Sequence, residues 1–331
     1  MFGIGCGVAG AMRSRPCTLL LGARVQALQS LLQQIINGVQ IGSVYALIAV
    51  GYTMVYGVLR FINFAHGDVY MLGAYFGSFT VTALIARHAP PSLQGALGLI
   101  LAMFACAVIG VVIERSAYKP VRKSGRMTAL ITAIGVSLLL ENASQAALGA
   151  SPRAFVIEGI DQPITISLGA ISLSFNKGQG MVLVAAVLLT TVLVYIVRRT
   201  TIGKAIRATS FDRETASLMG VNTDIVITFT FLLGSALAGA AGLMNHGFTR
   251  QPFDPLIGIL FGLKAFVAAV LGGIGNIAGA VLGGLLMGLT EAFVSSSQLS
   301  SFRDAFAFLI LIAVLMFRPA GLLGQNVAEK V

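Results

Sequence analysis

The chain has 331 residues, of which 56% are hydrophobic and only 10% are charged, and its mean hydropathy is +0.90. This composition is typical of an integral membrane protein and argues against a soluble domain. The net charge is +10. The basic residues, however, concentrate in two short segments beside apolar stretches, which is the pattern of cytoplasmic membrane loops rather than of nucleic-acid binding. These segments contain Arg115, Lys119, Arg122, Lys123 and Arg126, and then Arg198, Arg199, Lys204, Arg207 and Arg213.

Arginines interrupt the apolar runs of residues 1–30, so this part is predicted to be a poorly ordered amino-terminal extension, with residues 31–331 forming a single transmembrane domain. Apolar stretches that approach or exceed the length of a helical crossing follow in order. They occupy residues 31–59, 69–86, 95–113, 128–150, 180–197, 225–245, 256–294 and 305–317. The predicted fold is therefore an all-α polytopic bundle with about eight transmembrane helices, or nine to ten, and with broken or re-entrant segments.

The side of the membrane follows from the basic segments, which indicate the cytoplasm. Counting back three crossings from residue 114 places the amino terminus outside, where the arginines of residues 1–30 do not fit the rule. Either the extension overrides it, or residues 31–68 contain a further crossing or a re-entrant piece. The polar residues 151–179 then form an outer, periplasmic loop. Residues 164–175 alternate between apolar and polar, which predicts a small hairpin.

Each half of the chain contains one interrupted apolar stretch, at residues 63–68 and 272–276. Irregular backbone and ionisable side chains are costly in lipid, so they point to a translocation path. The candidates are Asn63, His66, Asp68, Glu141, Lys264, Gly272, Gly273, Gly275, Asn276 and Glu291. The alternative is structural: the breaks are loops, Glu141 bonds to polar neighbours, and Lys264 snorkels or pairs with Glu291. With only two acids inside clear spans, a proton relay is disfavoured.

Small residues recur every four positions in the second half, which predicts close helix–helix contacts. The three ridges are Gly234, Ala238 and Gly242; Gly275, Gly279 and Gly283; and Gly272, Ala280, Gly284 and Gly288.

Enzymatic function is not expected. The sequence has no GxxxxGK[ST] phosphate loop and no GxSxG turn, and its histidines and cysteines lack the spacing of metal ligands. We therefore predict no catalytic residue and no metal site.

Residues 198–224, here called the central polar segment, divide the apolar halves. Written as a helix, residues 205–219 place Ala205, Ala208, Phe211, Thr215 and Leu218 on one stripe. The charged residues lie mostly off this stripe, and Gly220 suits a helix end. The pattern predicts a short amphipathic helix at the membrane surface. The alternative is a solvated loop whose arginines obey the positive-inside rule.

Several blocks of sequence, in the right order, resemble the LivH-type permeases of branched-chain amino acid ABC importers. They lie at residues 37–75, 113–122, 128–142, 202–224, 264–292 and 318–324. The resemblance covers nearly everything from about residue 31 onward, and it departs at residues 1–30 and 151–179. It implies a permease domain in the bacterial inner membrane that moves leucine, isoleucine and valine.

In such importers a second, related permease subunit completes the path, two cytoplasmic ABC ATPases power it, and a periplasmic binding protein delivers the substrate. The resemblance implies that this chain binds no cofactor, with ATP and Mg²⁺ used by the ATPases. The central polar segment then couples to an ATPase. Its expected coupling residues are Arg207, Ala208, Phe211, Glu214, Ala216, Leu218 and Gly220. A permease for urea, short amides or other amino acids is the alternative, then an ion-coupled carrier, and last a membrane scaffold.

Overall fold

The computed structural model describes residues 15–122, 124–157, 159–160, 162–168 and 171–324. Helices dominate this part of the chain, and one antiparallel hairpin accompanies them. The helices are α1 (Arg15–Leu59), α2 (His66–Ile85), α3 (Pro91–Ile113), α4 (Lys119–Val121), α5 (Arg126–Leu148), α6 (Lys177–Arg199), α7 (Thr201–Phe211), α8 (Arg213–Leu218), α9 (Thr223–Leu243), α10 (Ile257–Gly272), α11 (Ile277–Ser295) and α12 (Arg303–Phe317). The strands are β1 (Pro163–Leu168) and β2 (Ile171–Asn176). A π-helical turn, Glu114–Tyr118, joins α3 to α4, and another, Met244–Phe248, extends α9.

Eight helical segments in the described residues are long and apolar enough to cross a membrane. They are Val25–Leu59, His66–Ile85, Pro91–Val121, Met127–Leu148, Lys177–Arg199, Thr223–Phe248, Ile277–Ser295 and Ser300–Phe317, and the apolar α10 is shorter. The predicted fold class is confirmed. The break predicted at residues 272–276 is confirmed too, because it divides residues 256–294 into the separate helices α10 and α11.

The first helix begins earlier than the sequence predicted. α1 starts at Arg15, so the part of the amino-terminal extension after residue 14 is helical and continuous with the first span. Two half-buried glutamines of α1 contact the hairpin: Gln29 Nε2 donates to the backbone oxygen of Ser172 at 2.7 Å, and Gln33 Nε2 to that of Ser174 at 2.8 Å. The rest of the extension, residues 1–14, lies outside the described residues.

The hairpin is confirmed, and it lies at the opposite end of α1 from the central polar segment. Ile164 pairs with Phe175 and Ile166 with Leu173 in the antiparallel register. At the far end of α1, Arg60 Nη2 donates to the backbone oxygen of Ser210 in α7 at 2.7 Å. The hairpin and the central polar segment therefore lie on opposite sides of the bundle.

Glycines bring the central helices into backbone contact. Gly288 of α11 lies against Gly42 of α1, and a Cβ on Gly284 would be 2.5 Å from the Cα of Ala46. On α9, Gly234 faces Gly51 of α1. These contacts place the predicted α9 ridge, and the part of the third ridge that lies on α11, in helix interfaces, where small residues permit close approach. Gly272 of that third ridge lies on α10 instead and meets Gly279.

The remaining ridge is confirmed only in part. Gly279 and Gly283 pack against Gly272 and Ala268 of α10. A Cβ on Gly275 would meet nothing within 4 Å, because this glycine lies in the turn between α10 and α11 rather than on a helix face.

Candidate functional site

The central polar segment forms two short helices with a break at Asp212. Residues 205–219 were expected to be one helix, and this prediction is wrong. Asp212 is extended, at φ −150° and ψ 113°, and its Oδ1 accepts hydrogen bonds from the backbone N–H groups of Glu214 at 2.9 Å and Thr215 at 3.1 Å. An aspartate that satisfies the first N–H groups of a helix starts a new helix, so α8 begins where α7 ends.

The two helices bury one side and expose large apolar side chains on the other. Ile206 and Thr209 of α7 and Ala216 of α8 are buried. By contrast, Phe211 is 91% exposed, Leu218 is 87% exposed, and Met219 beside it is 80% exposed. Exposed apolar side chains of this size are typical of surfaces that contact lipid or another protein. We call these last three residues the apolar tip.

The other expected coupling residues take different places. Arg207 donates to the backbone oxygen of Val197 in α6, so it ties α7 to the preceding span. Ala208 and Glu214 are exposed. Ala216 packs inward and is 5% exposed. A glutamate at this position would therefore bury a charge and disturb the packing of α8 against the bundle as well as any contact with an ATPase.

Gly220 ends α8 with φ at +85°, a conformation that side chains other than glycine adopt only with strain. Its backbone N–H donates to the oxygen of Ser217, and the N–H of Val221 donates to that of Ala216. Gly220 therefore reverses the chain toward α9.

The cap at Asp212 makes the stability of α8 depend on pH. The side-chain hydroxyl of Thr215, and then the backbone N–H groups of Thr215 and Glu214, hold the pKa of Asp212 below its ordinary value. The cap therefore stabilises α8 at pH values above the pKa of Asp212 in the unfolded chain, and this stabilisation is lost as pH falls through the lower pKa of the folded state.

We expect Asp212→Ala to raise hydrogen–deuterium exchange in residues 213–219 several-fold, and Asp212→Asn, which also caps, to leave it near wild type. Equal exchange in both variants would contradict the cap.

The first break of the sequence opens α2 inside the bundle. His66, Gly67 and Asp68 form the buried first turn of this helix. Ser137 Oγ of α5 donates to Asp68 Oδ2 at 2.5 Å, and the carboxyl of Glu141 lies within hydrogen-bonding reach of the same carboxyl.

The other two candidates of this break face elsewhere. The ring of His66 meets Tyr52 edge-on at 4.7 Å between centroids, and Asn63 Oδ1 accepts from Tyr118 at 2.6 Å. The structure thus joins Asp68 to Glu141, while Asn63 anchors the break to the π-helical turn after α3 and His66 anchors it to α1.

A second buried polar cluster surrounds Lys264. Its Nζ lies 2.8 Å from Glu291 Oε1 and 2.7 Å from Asp304 Oδ1, and Tyr45 donates to Glu291 Oε2 at 2.6 Å. The pairing of Lys264 with Glu291, one of the structural alternatives, is therefore present. Nothing in local sequence spacing signals Tyr45 or Asp304, which come from the first and last helices.

An aromatic path continues from this cluster through Phe261. Tyr70 stacks on Phe261 at 5.1 Å between ring centroids, and its hydroxyl lies 2.9 Å from His246 Nε2. Asn245 also donates to this hydroxyl, at 2.8 Å. The sequence pattern placed His246 in an outer loop and showed no metal-ligand spacing for it, so this buried arrangement was not predicted.

The second break lies against the carboxyl-terminal tail. Gly273 and Gly275 have φ at +103° and +99°, and Asn276 caps α11 by accepting from the N–H groups of Ala278 and Gly279. The N–H groups of Leu322 and Leu323 donate to the oxygens of Leu271 and Gly272. The tail therefore satisfies the end of α10, and this set of contacts is separate from those of Asp68 and Lys264. A role for any of the three sets in translocation stays a prediction.

Comparison with known proteins decides the family. Residues 34–315 match the family model described as the branched-chain amino acid transport system / permease component. The chain belongs to this permease family.

Among curated relatives, the high-affinity branched-chain amino acid transport system permease protein LivH of Salmonella typhimurium is 43% identical over 301 residues, which cover 91% of this chain and 97% of that one. The permease protein BraD of Pseudomonas aeruginosa is 41% identical and is covered to 98% of its length. The ribose import permease protein RbsC of Escherichia coli is similar at 27% identity over 86% of this chain and 85% of its own. No solved structure matches this chain at a significant level.

Proposed function

We propose that this permease is the transmembrane subunit of an ATP-driven importer of branched-chain amino acids in the bacterial inner membrane. A second, homologous permease completes the translocation path, a periplasmic binding protein delivers the substrate, and two cytoplasmic ATPases bind and hydrolyse ATP with Mg²⁺. The cargo rests on the relatives named for branched-chain amino acid transport, which match over nearly their whole length.

The observation that supports the mechanism is the apolar tip. It stands on the side of the bundle that carries the basic segments, which is the cytoplasmic side by the positive-inside rule. A groove on an ATPase would cover Phe211, Leu218 and Met219, with the exposed Glu214 and Arg213 at its polar rim.

Movement of the docked helices reaches the membrane through fixed contacts. Arg60, just after α1, holds the backbone of Ser210 near the end of α7. Arg207 holds the end of α6 at Val197. When ATP binding closes the ATPases, displacement of α7 and α8 therefore pulls on the ends of the spans and alternates access to the path. The permease supplies no catalytic group to this cycle.

The proposal is tested with vesicles that contain this permease, its partner permease, both ATPases and the binding protein. We expect uptake of labelled leucine that requires ATP and this chain, and that isoleucine and valine compete away. Competition by urea or short amides instead would change the cargo. Uptake without the ATPases, driven by an ion gradient, would overturn the mechanism.

A matched pair of variants tests the apolar tip. Phe211→Ser with Leu218→Ser is expected to lower ATP-dependent uptake at least about tenfold, because central apolar anchors contribute most of the energy of an interface. The bundle should stay folded because both side chains are exposed. Leu299→Ser, at an exposed apolar position in the turn after α11, is the control and should transport normally. Normal uptake in the double variant would exclude docking at the tip.

A further inference from the structure

One carboxylate, that of Asp224 in the first turn of α9, faces three cations from the two basic segments. Arg122 Nη1 donates to Asp224 Oδ1 at 2.9 Å, Lys119 Nζ lies 3.3 Å from Oδ2, and Arg213 Nη2 of α8 lies 3.8 Å from Oδ1. Asp224 is thus the point where the end of α4, the start of α8 and the start of α9 meet.

The contact continues into the bundle through Arg122. Its side chain is only 4% exposed, and its Nη2 pairs with Glu114, which is fully buried in the π-helical turn after α3. Thr228 Oγ1 of α9 donates to the other oxygen of Glu114 at 2.8 Å. Arg122 therefore bridges two acids, one from each of two membrane helices.

The packing of α3 against α9 does not require this bridge. The two helices already pack closely, with Gly239 of α9 against Cys106 and Ala102 of α3. Buried ion pairs rarely stabilise a fold more than apolar side chains of the same size, because both charges lose their hydration. What a buried bridge adds is a defined relative position of the elements that it joins.

We propose that Glu114, Arg122, Arg213 and Asp224 form a charge latch that transmits displacement of α8 to α3 and α9 as one unit. The inference rests on the proposed ATP-driven function. The chain between α8 and α9 is short and turns at Gly220, where φ is +85°. The contact from Arg213 to Asp224 spans this turn, and Arg122 extends it to Glu114. The latch is thus a second route to the membrane beside Arg60 and α1.

The test compares coupling in the complete reconstituted importer, measured as leucine taken up per ATP hydrolysed. Arg122→Met removes the bridge and is expected to lower this ratio about tenfold. Lys119→Met is the matched control. It removes a cation from the same carboxylate, but one that connects Asp224 neither to Glu114 nor to α8. Its ratio should stay within about twofold of wild type.

A second variant separates coupling from folding. Glu114→Gln combined with Arg122→Met removes both buried charges, so the complex should assemble even where Arg122→Met alone does not, because no unpaired charge remains. We expect the double variant to hydrolyse ATP and to keep a low ratio. A wild-type ratio in this variant would overturn the latch and leave the pair a purely structural role.

Asp224→Asn decides the case if neither Arg122 variant assembles, because the side chain of Asp224 is 48% exposed and asparagine keeps its shape. A lowered ratio supports the latch, and a normal ratio overturns it. Failure of the proposed function gives a different result, since wild-type complexes would then show no ATP-dependent uptake at all.

Discussion

Gly288→Leu is expected to prevent the permease from folding. Gly288 lies where α11 crosses α1, and a Cβ there would overlap the backbone of Gly42. On the same crossing, a Cβ on Gly38 would be 2.8 Å from the Cα of Leu289. A flexible side chain gives way to an added group, but two helix backbones do not. The cost should therefore exceed the roughly 1–3 kcal/mol of ordinary overpacking.

The measurement is the yield of monodisperse protein after detergent extraction, together with its midpoint of thermal unfolding. We expect almost no monodisperse Gly288→Leu, and a lowered midpoint for Gly288→Ala. Gly135→Leu on α5 is the matched control. A Cβ at this exposed position meets nothing within 4 Å, so its yield should equal that of wild type. A normal midpoint for Gly288→Leu would show that the crossing can open.

Lys264→Met is expected to destabilise the folded permease by about 3–5 kcal/mol, the usual cost of leaving one charge of a buried pair without its partner. The side chains of Lys264 and Glu291 are 6% and 10% exposed. After the change, Glu291 keeps only the hydroxyl of Tyr45.

Glu291→Gln should cost less than Lys264→Met because Asp304, at 2.7 Å, still pairs with Lys264. The double variant Lys264→Met with Glu291→Gln should recover most of the lost stability, since both buried charges are then gone. Thermal unfolding of the three variants in the same detergent measures these differences, with Lys204→Met on an exposed face of α7 as the control. If the double variant were no more stable than Lys264→Met, the ion pair would not be the cause.

Local sequence patterns were enough to predict the parts of the fold that depend on neighbouring residues of the chain. Apolar runs near the length of a crossing located the eight candidate spans, and period-two alternation located the hairpin at residues 163–176. Small residues four positions apart located the crossings of α9 and α11, because such spacing forms one ridge on a helix.

The break at Asp212 also had a local signal, a capping residue three positions before Thr215. This signal was overlooked because the apolar stripe of residues 205–219 continues across Asp212 and favours a single helix. The family, too, was readable from sequence, because its motifs are contiguous blocks in a set order.

The sequence by itself therefore determined the class of protein, the spans and the location of the central polar segment between them. Only the tertiary structure decided which polar side chains meet: Lys264 with Asp304, Asp68 with Glu141, and Arg122 with both Glu114 and Asp224. It also decided that Ala216 packs inward while Phe211 and Leu218 face outward. The physical reason is that such contacts depend on the rotation and crossing angle of helices far apart in the chain, which interfaces such as Gly288 on Gly42 set and no local pattern encodes.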